Sequence, residues 1–376
     1  MLPFRFATGG ARVVARYAER LHRRGHDASV VFPAVPYRFR ASQRLDSGLR
    51  GWLGTLASNL LPDVVPSGPT VVSEASMVPV IADRFLPDAD VVVATAWPTA
   101  PSVARLSPSK GVKCYLIQHR ELDSGLPAAV DATYRLPLFR IAGSRFTAAE
   151  LHRELGVEVE AIAPNGVDAA FWARGPDAEI PRTGVLMPYR PEPRKGAVDG
   201  LAALAAVRER LPHLPIRLFG NRRTGRVPGF AEFFVNPTDL ELRDLYRRSR
   251  IFLFPSRYEG FGLPPLEAMA AGCAVVSTAV GAIPEVLGGE RCGALVEPGD
   301  TEAMARAVAE LASDPDRSAA LGAAAATAVR RFDLDTASRA FEAALCRALG
   351  VTTPPADASP DRSSDASAPP EGGGRR

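Results

Sequence analysis

Lysine is nearly absent from this chain: Lys110, Lys113 and Lys195 are three of the 45 basic residues, and the rest are arginine. That bias fits GC-rich coding more simply than it fits a function. The 42 acidic residues leave a formal charge of +3 over 376 residues. With so small an excess, spread along the chain, nucleic-acid binding has no compositional support. Cysteine is scarce too. Cys114, Cys273, Cys292 and Cys346 form no C-x-x-C pair and have no neighbouring histidine, which argues against a zinc site or a disulfide framework and for a reducing, cytoplasmic compartment. No apolar run reaches the length of a membrane span, and MLPFRFATGG lacks a basic-then-apolar signal pattern. The protein is expected to be neither secreted nor membrane-spanning.

What is present is a 46% apolar composition at a length suited to two domains. Short apolar runs alternate with helix-patterned stretches. They are Ala28–Phe32, Val91–Ala94, Lys113–Ile117, Phe139–Ala142 and Val159–Ala163, then Gly184–Met187, Ile216–Phe219, Ile251–Phe254, Ala274–Ser277 and Ala294–Val296. This β/α alternation predicts parallel sheets covered by helices on both faces. Between the two sets lies a turn-rich segment with Pro176 and Pro181, read as a hinge. The expected division is 1–175 for the first domain, 176–334 for the second, a C-terminal helix over 335–350 that is free to cross back, and a polar tail over 351–376 too poor in apolar residues to fold alone. Only MLPFRFA precedes Thr8-Gly9-Gly10, so the first strand is expected to be short or to begin upstream.

The most specific stretch is Pro255–Glu267, PSRYEGFGLPPLE. An apolar strand leads into a loop carrying Glu259, then Gly260-Phe261-Gly262, then Leu263 and a helix with Pro264 and Pro265 in its first turn, where a missing N–H is tolerated. Such a strand–loop–helix unit offers backbone amides and a positive dipole end to a phosphate, with Glu259 and Glu267 on either side for hydroxyl groups. Tyr189–Gly196 supplies cations at the end of another strand: Arg190 and Lys195, with Arg194 as a further candidate. Gly9 and Gly10 precede a helix pattern and permit close backbone approach, or simply form a tight turn. Gln118, His119 and Glu121 fall at the C-terminal end of a strand, where open α/β sheets place ligand-binding residues.

Two glutamates separated by seven residues, here Glu259 and Glu267, resemble the signature of the retaining glycosyltransferases of family 4, and the continuation AMAAGCAVVSTAVGAIPEVL is similar as well. The Gln118-x-x-Glu121 frame resembles a bacterial subset that includes rhamnosyltransferase-like enzymes. The resemblance implies the GT-B fold, two Rossmann-like doubly wound domains facing a cleft, and an enzyme of the hexosyltransferase type (EC 2.4). It implies a UDP-, GDP- or dTDP-linked sugar as donor, a hydroxyl acceptor, no bound cofactor and no metal. By it, Glu259 holds the transferred sugar, the Gly260–Leu263 backbone meets sugar and diphosphate, and Glu267 holds the ribose. Arg190 and Lys195 meet the diphosphate, Gly9 and Gly10 approach the donor, and His119 contacts the sugar. Gln118, Glu121 and Asp123 are acceptor-side candidates. Ser144 reads as a helix N-cap, and Asn165-Gly166 as the turn into the hinge. Segment 36–61, with four arginines among Trp52 and several leucines, is either an acceptor-side loop and helix or a peripheral contact with the inner face of a membrane. An epimerase or hydrolase using the same diphosphate site, and a catalytically degenerate binding subunit, are the competing readings.

Overall fold

The computed structural model describes residues 1–3, 9–35, 75–173, 181–224 and 226–352, with the single residues 37, 53 and 56. All strand pairings among them are parallel. In the N-terminal half, α1 (Gly9–Arg23) buries Val13, Tyr17 and Leu21, the i, i+4, i+8 face of a helix. Then come β1 (Val30–Pro33), β2 (Ala75–Val78), β3 (Val91–Ala94), α2 (Ala100–Ala104), β4 (Val112–Ile117), α3 (Pro127–Thr133), β5 (Phe139–Ala142), α4 (Arg145–Leu155), β6 (Ala161–Ile162) and α5 (Ala169–Trp172). Strands β3 to β6 form one sheet and β1 pairs with β2. The start of the chain joins the two: the Met1 ammonium donates to Val93 O at 2.8 Å and Leu2 N to Val31 O at 2.9 Å. The residues expected to begin the first strand thus lie at the centre of the sheet, and 4–8 fall outside the described set.

The C-terminal half runs β7 (Val185–Pro188), α6 (Ala197–Arg210), β8 (Ile216–Gly220), β9 (Glu232–Val235), α7 (Asp239–Arg248), β10 (Ile251–Phe254), α8 (Leu263–Ala270), β11 (Ala274–Thr278), α9 (Ile283–Leu287), β12 (Gly293–Val296), α10 (Thr301–Ser313) and α11 (Pro315–Ala328). The sheet order β12-β11-β10-β7-β8-β9 is a doubly wound sheet whose direction reverses between β7 and β10. Alternate residues fill two cores. Leu186, Phe252, Phe254 and Val275 face one layer, while Val185, Met187, Ile251, Leu253 and Val276 face the other. Burial on both faces is what makes these strands read as continuous apolar runs.

The last helix, α12 (Leu334–Leu349), belongs by contact to the N-terminal half. Leu334, Ala337, Phe341 and Ala344 share a core with Val13, Tyr17, Leu116 and Ile141, and the rings of Tyr17 and Phe341 stack at 4.7 Å. Arg20 pairs with Asp335 at 2.7 Å, and Arg24 and His26 both reach the buried Glu342 at 2.6 Å. The crossing is pinned by Val167 N to Phe332 O (2.9 Å) and Leu334 N to Val167 O (3.0 Å). Gly166 is small for this reason: a Cβ there would come within 2.6 Å of the Ala337 methyl and 2.9 Å of Leu334 Cα. Gly166, expected with Asn165 to turn the chain into the hinge, packs under α12 and does so without a left-handed φ. Hinge residues 174–180 and nearly all of 36–61 lie outside the described set. Among the described residues, no helix is long and apolar enough to cross a membrane.

Candidate active site

Strands β7 and β10 lie side by side where the sheet order reverses, so the loops leaving their C-terminal ends open onto one crevice. These loops are fastened together. Gly196 takes φ +62°, and a Cβ on it would lie 1.8 Å from Pro255 O. Arg257 N and Tyr258 N both donate to Arg194 O, at 2.8 and 3.2 Å. The Arg257 guanidinium holds Asp199 at 2.6 and 2.7 Å.

The fastening brings Lys195 Nζ to 2.5 Å from Glu259 Oε1, and Ser256 Oγ donates to the same oxygen at 2.8 Å. Glu259 is only 9% exposed, yet its Oε2 has no partner among the described residues. That oxygen is a free acceptor in the site. The backbone after it is shaped by two further glycines. Gly262 (φ +89°) would set a Cβ 2.4 Å from Ile283 Cδ1, and Gly281 (φ +57°) would set one 2.2 Å from Glu259 O. Gly262 also begins α8 without any side-chain cap, and since Pro264 and Pro265 carry no N–H, the amide of Leu263 is the one that the first three residues of the helix can offer. Phe261 turns its ring into the core, edge-on to Phe332 at 5.6 Å, so only its backbone faces the crevice.

One helical turn on, Glu267 accepts from Tyr246 OH at 3.0 Å. Burial pushes its carboxyl up to about 7, against the pull of Tyr246, Arg12 and Arg16. Tyr246 is fixed by the surrounding rings of Trp172, Phe219 and Phe252. Arg190 is half-buried and has no ion pair or hydrogen bond among the described residues. Burial lowers its pKa, with the Glu192 carboxylate pulling the other way, and an arriving anion would meet a guanidinium whose donors are not yet committed to a hydrogen bond among the described residues.

The N-terminal half supplies the opposite wall. Gln118 Nε2 donates to Gly10 O at 3.2 Å, and a Cβ on Gly10 would come within 2.9 Å of that nitrogen. Gly260 meets the same segment from the other side, since its Cβ would lie 2.2 Å from Gln118 O and 2.7 Å from His119 Cβ. The His119 ring stands edge-on to Tyr258 at 6.4 Å. Gly10, Gln118, His119, Lys195, Glu259 and Gly260 are thus brought together, whereas the space a Gly9 Cβ would take is open. Glu121 is committed locally: its Oε1 accepts from Trp97 N at 2.8 Å, and burial pushes the carboxyl up to about 7. The Asp123 side chain is outside the described set. Ser144 is the expected N-cap, accepting from Thr147 N at 3.0 Å.

Several participants carried no sequence signal that was read. Arg12 of α1 pairs with Asp239 across the crevice at 3.1 Å, and Tyr246 arrives from α7. Tyr258 stood inside the motif itself. Among the described residues no group of three His, Cys, Asp or Glu side chains is arranged to hold a metal. The three Asp-x-Asp triplets of the sequence lie elsewhere: Asp88 bonds Lys110, and Asp314 and Asp333 cap helices.

Two parallel doubly wound halves enclosing this crevice define the GT-B class. The structure of Anabaena HepE in complex with UDP matches it with a TM-score of 0.67 at 16% identity, over 92% of this chain and 98% of that one. The sequence agrees in both halves, matching the Glycosyltransferase Family 4 model over residues 7–171 and the Glycosyl transferases group 1 model over 183–314. The chain is therefore built of a glycosyltransferase family 4 domain followed by a glycosyl transferases group 1 domain. It is 33% identical to D-inositol 3-phosphate glycosyltransferase of Streptomyces avermitilis over 60% of this chain and 47% of that protein. It is 28% identical to phosphatidyl-myo-inositol mannosyltransferase of Mycolicibacterium smegmatis over 86% of each. The chain spans about half the length of the Streptomyces relative.

Proposed function

We propose that the protein is a retaining glycosyltransferase that moves a sugar from a nucleoside-diphosphate sugar to a hydroxyl acceptor. The observation that carries this reading is the Lys195–Glu259 pair at the switch point, 2.5 Å apart, with one carboxylate oxygen still free. A cation and a hydroxyl-binding carboxylate at that separation fit the two sides of a glycosyl phosphate. In this reading Glu259 Oε2 accepts from the transferred sugar, Glu267 accepts from the ribose, and Arg190, Lys195 and the amides around Gly262 take the diphosphate. Apart from the Lys195 ammonium, which turns from Glu259 to the arriving phosphate, these groups are fixed before reaction, so they stabilise charge developing on the leaving phosphate without reorganising. His119 and Gln118 face the sugar from the other half. The acceptor hydroxyl approaches the face that the leaving group departs, and the leaving phosphate takes its proton.

UDP, the ligand named for HepE, is the first nucleoside diphosphate to try. The names of the two relatives make an inositol bearing a phosphate or a lipid the first acceptor. The Gln118-x-x-Glu121 frame is the support for a place near rhamnosyltransferase-like enzymes, and the division into domains is taken at 175/176. The reading is tested by thermal unfolding against UDP-, GDP- and dTDP-sugars. A ligand at 100 times its dissociation constant adds about 2.7 kcal/mol to the folded state, a shift that is easily measured. Transfer with retention at the anomeric carbon is then followed by NMR. If no nucleotide sugar stabilises the protein, the donor site is misassigned.

A further inference from the structure

Each residue of the Arg257–Gly260 run is held by a different part of the molecule. Arg257 is clamped to Asp199 of α6, Glu259 to Lys195 and Ser256, and Gly260 O accepts from Ala282 N at 3.1 Å. All of these partners lie in the C-terminal half. Tyr258 is the exception. Its hydroxyl reaches across the crevice to Arg120 O at 3.1 Å and to the Glu150 carboxylate at 3.2 Å, so one proton is shared between two acceptors of the N-terminal half. Glu150 sits on α4 and is 7% exposed, and burial raises its pKa. An acid so placed, with Tyr258 as its only hydrogen-bond donor among the described residues, is costly unless the tyrosine is docked. Arg120 is held in turn by Asp131 at 2.9 and 2.6 Å, which fixes the carbonyl that Tyr258 finds.

We propose that Tyr258 is a positioning residue that ties the approach of the two halves to the setting of Glu259, its neighbour in the chain. When the crevice is closed, the Tyr258 hydroxyl docks on Arg120 O and Glu150, and the backbone from Tyr258 to Gly260 is pressed against Gln118 and His119. Glu259 is then held between its lysine and the sugar. When the halves part, the hydroxyl loses both acceptors and the loop is anchored from one side only. Donor binding to the C-terminal half does not depend on this contact, but turnover does. The inference rests on the donor-site reading above, for which Glu259 meets the sugar.

The test uses the full chain with Tyr258→Phe, which removes one oxygen and no packing volume. The losses expected for hydrogen bonds to a charged acceptor put the fall in kcat at about 10- to 100-fold. UDP affinity should stay within about twofold. Glu150→Ala should reproduce the loss, the double variant should be no worse than either single one, and Glu150→Gln, which keeps an acceptor oxygen, should recover most of the rate. Small-angle scattering without ligand supplies an arm independent of activity. Tyr258→Phe should shift the population to larger radii. Unchanged scattering together with unchanged kcat overturns the proposal, as does a loss of UDP affinity equal to the loss of kcat. A wild-type chain that ignores UDP and every other nucleotide sugar would instead fault the donor-site reading, while the scattering arm still judges Tyr258.

Discussion

Replacing Lys195 by methionine keeps the length of the side chain and removes the charge that faces Glu259. The side chains of the pair are 24% and 11% exposed. Removing one partner of a fully buried pair costs about 3–5 kcal/mol, while exposed pairs are worth at most about 1 kcal/mol, so a loss of about 2 kcal/mol suits this burial. For a domain of this size that is a drop in Tm of about 4–8 °C. Glu259→Gln in the same background should return part of it, because the stranded carboxylate is then gone. The coupling is read from the double-mutant cycle of the two substitutions. On the proposed reading the same lysine meets the diphosphate, and UDP affinity measured calorimetrically should fall about 10- to 100-fold in Lys195→Met. A variant that melts with the wild type and binds UDP as tightly would refute both the pairing energy and the assignment.

Three other perturbations probe separate parts of the molecule. Gly260→Ala would thrust a methyl to within 2.2 Å of Gln118 O, so closure should fail; turnover should fall by at least about 100-fold, as for displacement of reacting groups by about 1 Å, while UDP binding to the C-terminal half persists. Glu267 is raised from 4.5 to about 7, so between these values the folded chain keeps a proton that the unfolded chain has released. Its contribution to stability therefore declines as pH rises from 4.5 to 7 and is level above, while ribose hydroxyls favour the carboxylate and UDP affinity rises through pH 7. Glu267→Gln should remove that rise and leave only the titration of the UDP phosphate near about 6. Phe341→Ala empties the place stacked on Tyr17 and should cost about 3 kcal/mol, seen as a lower urea midpoint.

All ten expected strands are present within a residue or two, and the reason is physical: buried on both faces, they are written as unbroken apolar runs. Among the described residues the two that went unread, β2 and β9, are edge strands of four residues in which Val78 alone is buried. Nothing in ASMV or EFFV distinguishes an edge from a loop. The site divides in the same way. Gly260 and Gly262 are legible because close backbone approach admits no other residue, while the same constraint at Gly196 went unread. Arg12 and Tyr246 are ordinary helix residues, and only the facing of the two halves brings α1 and α7 to the same crevice. Lys195 and Glu259 were each legible as chemistry, but their pairing across 64 residues was not, since it depends on β7 and β10 being neighbours.

That pairing explains why one of only three lysines stands at 195 in a chain otherwise furnished with arginine. Beside the crevice two arginines grip a carboxylate in two-pronged contact, Arg257 on Asp199 and Arg120 on Asp131. A guanidinium at 195 would grip Glu259 in the same manner and occupy the oxygen that is now free. An ammonium is a point charge on a flexible stem, able to satisfy Glu259 Oε1 while empty and to swing toward a phosphate when one arrives. Lys195→Arg should therefore preserve charge and Tm yet lose turnover, by about 10-fold or more if one charge-assisted contact is misplaced. UDP affinity should fall less than in Lys195→Met. Full activity in Lys195→Arg would show that only charge is required at 195, and the mobility of the lysine would then have no part in the reaction.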